Sequence, residues 1–322
     1  MKSLRILTFN HHEPYLCALA EVGHQWDVVV RYKTLNLKWH EHSHPKPKNM
    51  TLVEFDHHIE SQLRNNQYDL VVCHTLKNLL WLFRFRSARF VFVGHIPLFQ
   101  NSWTMRIKSR AKRLAWQLFA WTHRAWFVGV SRFKLESWGV KGRVIVLAPQ
   151  PFPPLPATTD STGVVIVGNH LKERGMEMGW PVLEQVLSAM PIKVIGDNPS
   201  ISGSIKPKNF DEFLKHFQSG GIYLFTVPYP FGDGYNTAML EAMSMGMAVV
   251  TLFNPTSPIE HGVNGLVGRD AESLIASIQL LQKDPALLTR LGNAARATIE
   301  TKFSRQSFID GWRQVIETAT TS

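Results

Sequence analysis

Asp233-Gly-Tyr-Asn-Thr-Ala-Met-Leu-Glu241-Ala-Met-Ser-Met-Gly246-Met-Ala-Val-Val250 is the most informative segment of the chain. The apolar run Tyr223 to Thr226 reads as a strand. A Pro/Gly loop follows, a helix opens near Tyr235, and a second strand begins after Gly246. Strands alternating with helices argue for a parallel sheet covered on both faces. The backbone N–H groups of Asn236 and Thr237 stand at the positive end of the helix dipole, where anions bind. Glu241, two turns inside, suits a ribose diol, because both hydroxyls donate and a carboxylate accepts. An amphipathic helix with a solvated glutamate fits the spacing equally well.

Working outward, the same alternation fills the chain. Leu4 to Phe9, Asp27 to Val30, Leu70 to Cys73, Phe90 to Val93 and Trp126 to Val130 read as buried strands, and a first helix starts near Pro14. Five prolines crowd Pro149 to Pro156, followed by Thr158, Thr159, Ser161 and Thr162. Such a run continues neither a helix nor a central strand, so an interdomain linker is expected there. Strands then resume at Gly163 to Val167, Ile192 to Ile195, Gly221 to Val227 and Ala248 to Phe253. Helical patterns cover Ala271 to Leu291 and Arg305 to Thr318. The expected organisation is an α/β domain at 1–150, a linker at 151–162 and a second α/β domain at 163–322, whose last helix is able to pack back on the first. Two doubly wound domains of similar size leave a cleft, where ligands usually bind.

The 322 residues are 44% hydrophobic and 19% charged, which suits a folded protein with a large core. Two cysteines build no disulfide framework and fit a reducing compartment. No apolar run reaches the ~18–20 residues of a membrane span, and the N-terminal run is too short for a signal peptide. A soluble, cytoplasmic protein is expected. Its charge is unevenly placed: residues 1–155 hold 22 Lys+Arg against 9 Asp+Glu, and residues 156–322 hold 13 against 16. Eight of the ten tryptophans also lie in the first half. This asymmetry suggests an anionic partner for the first domain; a basic solvated surface without a ligand is the alternative.

Residues Asp233 to Val250 resemble the signature of the retaining glycosyltransferases of family 4, roughly E-G-F-G-x-x-x-L-E-A-M-A-x-G-x-P-V. Glu241, the following Ala-Met and Gly246 match; Asp233 stands for the first glutamate, and Tyr235 and Asn236 replace Phe and Gly. Val165-Ile-Val-Gly168-Asn-His-Leu-Lys-Glu-Arg174-Gly175 is similar to the family's G-R-x-x-x-x-K-G motif. Arg174 stands at the Lys position, able to form a bidentate phosphate contact, and Asn169 replaces the Arg. Gly196-Asp-Asn-Pro199 resembles its G-D-G-P turn, and Glu260 to Val267 its E-D-G-x-N-G-L-L-V stretch, with Ser257 where a Glu is common. The resemblance covers about residues 125–315 and implies the GT-B fold, two Rossmann-like domains facing each other across a cleft. It implies a nucleotide-sugar site made of Gly168, Asn169, Arg174, Gly234, Tyr235, Asn236, Thr237 and Glu241. Arg174 and the helix amides would take the diphosphate, Glu241 the ribose and Asp233 the sugar. His95, in Val91-Phe-Val-Gly-His95, resembles the histidine this family places beside the reacting sugar. The catalytic set is therefore His95, Arg174, Asp233 and Glu241, with His11, Glu13 and His74 on the acceptor side.

Other chemistries find little support. The turn Asn10-His11-His12-Glu13-Pro14 lacks the paired glycines of a dinucleotide fingerprint. There is no D-x-D pair, no phosphate-binding G-x-x-x-x-G-K-[ST] loop and no G-x-S-x-G elbow. His40-Glu-His42-Ser-His44 has the look of a metal tract but lacks cysteine partners and reads as a solvated loop. No metal or other cofactor is expected.

Between Ser102 and Trp121, Trp103, Ile107, Ala111, Leu114 and Leu118 share a helical stripe, which predicts the core-facing side. Arg106, Lys112 and Arg113, with Trp116 among them, are expected on the wet face, where they suit anionic lipid headgroups. A solvated helix with Trp116 packed on a loop fits equally. No nucleic-acid motif accompanies the charge. The expected activity is metal-independent, retaining transfer of a sugar from a nucleotide-diphosphate donor to a saccharide, lipid-linked or other acceptor, on or off the cytoplasmic membrane face. A GT-B sugar-nucleotide epimerase and a non-catalytic nucleotide-sugar-binding relative are the alternatives.

Overall fold

The structure is a computed structural model that describes residues 3–32, 35–40, 44–98, 103–156 and 160–321. Residues 1–147 with 305–322 form one unit, and 148–304 form a second.

The first unit's sheet is made of β1 (Arg5–Phe9), β2 (Gln25–Tyr32), β3 (Leu35–Asn36), β4 (Met50–Glu54), β5 (Leu70–Cys73), β6 (Phe90–Gly94), β7 (Trp126–Gly129) and β8 (Arg143–Val144). They run in the order β3-β2-β1-β5-β6-β7-β8, with β4 also on β2, and every pair is parallel except β2 with β3. β5 and β6 have no solvent-facing side, which is why they read as continuous Val/Phe runs. Helices α1 (Glu13–Ala20), α2 (His57–Arg64), α3 (Leu76–Leu82), α4 (Trp103–His123) and α5 (Arg132–Trp138) lie between the strands. α1 opens on a His12 cap with Pro14 in its first turn, where a missing N–H costs nothing.

The second unit holds β9 (Asp160–Val167), β10 (Lys193–Ile195), β11 (Gly220–Phe225), β12 (Ala248–Leu252) and β13 (Gly265–Gly268), in the all-parallel order β10-β9-β11-β12-β13. Its helices are α6 (Trp180–Ala189), α7 (Phe210–Phe217), α8 (Thr237–Met245), α9 (Ala271–Lys283) and α10 (Pro285–Lys302). The last helix, α11 (Arg305–Thr321), belongs to the first unit, where Trp312 Nε1 donates to Tyr15 Oη at 3.2 Å.

Several local readings change. Asp160 to Thr162, expected in the linker, open β9, while 157–159 lie outside the described residues. The helix expected over Ala271 to Leu291 is two helices. Asp284 caps α10 by accepting from Leu287 N at 2.9 Å, and a residue before proline avoids the helical region.

α4 is turned the other way from the expectation. The expected core stripe is exposed: Trp103 75%, Ile107 45%, Leu114 64% and Leu118 54%, joined by Trp121 at 80%. Trp116, placed on the wet membrane-facing side, is buried with Phe119 and His123. Its ring packs 5.3 Å from Phe92 and from Phe127, centre to centre, while Phe119 meets Phe90 at 5.1 Å. The helix is apolar on two opposite sides, and the aromatic floor of the sheet takes the one whose rings stack on it. Arg113, expected on the wet face, is held inward by a 3.2 Å bond to Ser137 O. Among the described residues no helix is long and apolar enough to cross a membrane.

Candidate functional site

In the first unit β1 leads to β2 on one side, and β5 lies on the other, so the strand order reverses between β1 and β5. Ligands of such sheets bind outside the carboxyl ends at that point. The residues there are histidines: His11 follows β1, His74 follows β5 and His95 follows β6. His74 Nδ1 lies 2.9 Å from His95 Nε2, and the His11 ring is 5.1 Å from that of His95. The structure thus brings His11, His74 and His95 together.

The hydrogens of this chain can be assigned from its far end. Thr8 Oγ1 donates to the Val72 carbonyl at 3.1 Å, an obligate acceptor, which spends its only hydrogen. His74 Nε2, 2.9 Å from the same oxygen, must then donate to it. His74 Nδ1 is left as an acceptor, so His95 Nε2 donates to it, and His95 Nδ1 keeps its lone pair. Both rings are neutral in this scheme. Burial pushes the pKa of His74 well below the usual value, and the neighbouring His11 and His12 push it further. His95 is lowered by the same burial and by His74, His11 and His12. Sequence reasoning missed Thr8, a polar residue between the apolar Leu7 and Phe9 of β1, and His12. His12 Nδ1 accepts from Tyr15 N at 3.3 Å, and burial lowers its pKa to about 4. Glu13 is engaged by Asn10 at 3.1 Å and by the His40 ring at 3.0 Å, so it braces the 35–40 segment.

Beside the histidines lies a cavity of about 390 Å³, lined by apolar side chains including Leu37, Trp81, Phe92 and Trp138 and by the ammonium-bearing Lys77 and Lys112. His40 and His44 are described and His42 is not; among the described residues no cluster of three or more His, Cys, Asp or Glu side chains could hold a metal ion.

In the second unit the reversal falls between β9 and β11. Two segments leave the carboxyl ends of these adjacent strands: the turn after β9, Gly168 to Arg174, and the loop after β11 leading into α8. The first is braced by side-chain amides. Asn198 donates to Gly168 O at 2.7 Å and accepts from Leu171 N at 2.9 Å, and Asn169 Oδ1 accepts from Asp197 N at 2.8 Å. Asn169 therefore ties two loops, which explains an amide at that position. Gly196 sits between them at φ +130°, where a Cβ would lie 2.2 Å from Gly168 O. Arg174 Nε is 3.7 Å from Glu177 Oε2, an exposed pair of little cost to break. Lys172 stands over the Trp180 ring at 5.3 Å.

α8 begins at Thr237, two residues later than expected, because Asn236 is its cap and accepts from Met239 N at 2.8 Å. The Thr237 N–H thus lies in the helix's first turn. Gly234 donates to Thr256 Oγ1 at 2.9 Å, and its missing side chain lets Ser257 approach. The Tyr235 ring packs against Phe303 at 5.2 Å, so only its backbone faces the loop. Asp233 and Glu241 are both buried. Burial first and the Glu241 carboxylate second push the Tyr223 hydroxyl pKa up.

No protein-family model matches the chain, and no curated protein matches its sequence. Solved structures match over its whole length. Sucrose-phosphate synthase from Thermosynechococcus elongatus aligns over 99% of both chains with a TM-score of 0.68 at 13% identity. Anabaena HepE, solved with UDP and glucose, aligns over 99% of this chain and 100% of its own, with a TM-score of 0.69 at 15% identity. The fold is GT-B. A protein described as a UDP-N-acetylglucosamine 2-epimerase from Listeria monocytogenes shares the GT-B fold at a TM-score of 0.56 and 14% identity, over 99% of this chain and 98% of its own.

Proposed function

We propose that the protein is a metal-independent glycosyltransferase that moves a sugar from a nucleoside-diphosphate sugar to an acceptor with retention of configuration. The observation that carries this reading is that the Gly168–Arg174 turn and the loop leading to Asp233–Glu241 leave the carboxyl ends of the adjacent strands β9 and β11, at the second unit's strand reversal. These are the segments that resemble the donor motifs of the retaining family. In the proposed complex Arg174 and the first-turn amide of Thr237 hold the diphosphate, Glu241 the ribose and Asp233 the sugar hydroxyls. His95, neutral, offers its Nδ1 lone pair to the reacting sugar. In the mechanism this resemblance implies, the leaving diphosphate takes the acceptor proton, so no protein nucleophile is required. The apolar cavity with its two lysines suits an acceptor with an apolar part and an anionic group.

The test is incubation with UDP-, GDP- and ADP-sugars, following nucleotide release and the anomeric configuration of the product. Release with one donor, faster with acceptor and retaining, supports the proposal; binding without release at any donor defeats it. The fold shared with an epimerase favours a second reading, which isomerisation of a UDP-N-acetylhexosamine at C2 would establish.

A further inference from the structure

The exposed side of α4 has no part in either site. Trp103, Ile107, Leu114, Leu118 and Trp121 fall within about 60° of one another around the helix axis, at 100° per residue. Their stripe runs for about 27 Å along the helix. All five are exposed, the two tryptophans most of all. Contiguous apolar surface of this kind, rimmed by polar residues, marks an interaction site. The rim is basic: Arg106 and Arg110 lie along one side and Lys108 on the other, and the 21-residue helix has no Asp or Glu. The buried side, with Trp116 and Phe119 on the sheet, anchors the helix so that this stripe stays outward.

We infer that this face of α4 docks on an anionic lipid bilayer, with the apolar stripe among the acyl chains and the arginines at the headgroups. Charge complementarity selects this occupant. Pairing the stripe with its copy on a second chain would bring two sets of cations together without a single acid on either helix, whereas an anionic bilayer satisfies both the apolar and the basic parts. Tryptophans at both ends of the stripe suit the interface, where amphipathic rings settle. The helix does not span: its charge keeps it in the plane of the surface. The inference is independent of the proposed transferase activity, since vesicle binding needs neither donor nor acceptor.

The experiment is sedimentation of the full chain with vesicles of phosphatidylcholine alone and with about one-third phosphatidylglycerol, at about 0.1 M and about 0.5 M salt. Binding to the anionic vesicles, weakened by salt, is expected. The Leu114→Asp/Leu118→Asp variant and the Arg106→Glu/Arg110→Glu variant should each lower the partition coefficient at least about tenfold. These side chains are exposed, so thermal midpoints should stay near the parent's. A measurement on the unaltered fold backs the variants: brominated acyl chains should quench tryptophan emission, and Trp103→Phe/Trp121→Phe should remove most of that quenching. No binding to anionic vesicles overturns the inference, as does binding that neither charge reversal nor Leu→Asp weakens. A dimer that the Leu→Asp variant abolishes, without vesicle binding, would assign the face to a second copy and overturn it equally.

Discussion

At the first unit's strand reversal the chain supplies side chains, and at the second it supplies backbone. Three histidines from the ends of β1, β5 and β6 touch one another, and their protonation is settled by a threonine hydroxyl and one carbonyl. The turn after β9 and the loop before α8 are instead shaped by Gly196, Gly234 and the amides of Asn169 and Asn198, with Arg174 displayed outside. The same topology thus carries a neutral, desolvated histidine cluster in one unit and a polar turn built from backbone and amides in the other. A buried cluster of bases stays uncharged because each proton would be desolvated and repelled. A diphosphate is better met by fixed dipoles and a cation that moves little on binding.

The largest expected effect breaks the polar side of that comparison. Arg174→Ala should lower transfer about 10²–10³-fold, because its charge develops full value only against the departing diphosphate. The fold should be intact, its Glu177 pair being exposed; near-normal turnover would remove Arg174 from the donor site. Next comes a backbone change. Gly196→Ala forces a left-handed φ and a clash with Gly168 O, and should cost about 2–4 kcal/mol in urea unfolding at unchanged slope. A loss under ~0.5 kcal/mol would show that this turn adapts.

Two smaller effects sharpen the histidine side. His74→Phe keeps the ring but removes the acceptor for His95 Nε2–H, and should lower kcat about tenfold. Its second readout is pH: burial first and, as the two rings titrate, repulsion from His74 hold the His95 pKa down, so removing that partner should move the acid limb of kcat/KM to higher pH in the variant. An unmoved limb would reduce His74 to packing. The smallest effect is on stability. His12 titrates at about 4 when folded against about 6.5 when unfolded, so the unfolded chain binds the proton first. Stability from this group is complete above pH ~6.5 and is lost as pH falls toward 4. His12→Asn keeps a good cap without the titration and should flatten that window by up to one proton's worth of slope.

The alternation of strands and helices, the β11–loop–α8 segment and the resemblance it carries were legible in the residues alone. Buried parallel strands write continuous apolar runs, and Gly246 and the prolines mark ends by local chemistry, whereas the cap at Asn236 showed only in the fold. Short edge elements such as β4 and β8 left no such trace, since edge strands are only partly covered. Where the side chains end up depended on the folded chain. The contact of His74 with His95 joins residues far apart in the chain through neighbouring strands, which no spacing encodes. α4 shows the limit most clearly. Periodicity located one apolar stripe and expected it in the core, whereas the buried side is the one whose rings meet Phe90, Phe92 and Phe127 on the sheet, and that choice turned the stripe from Trp103 to Trp121 into a surface.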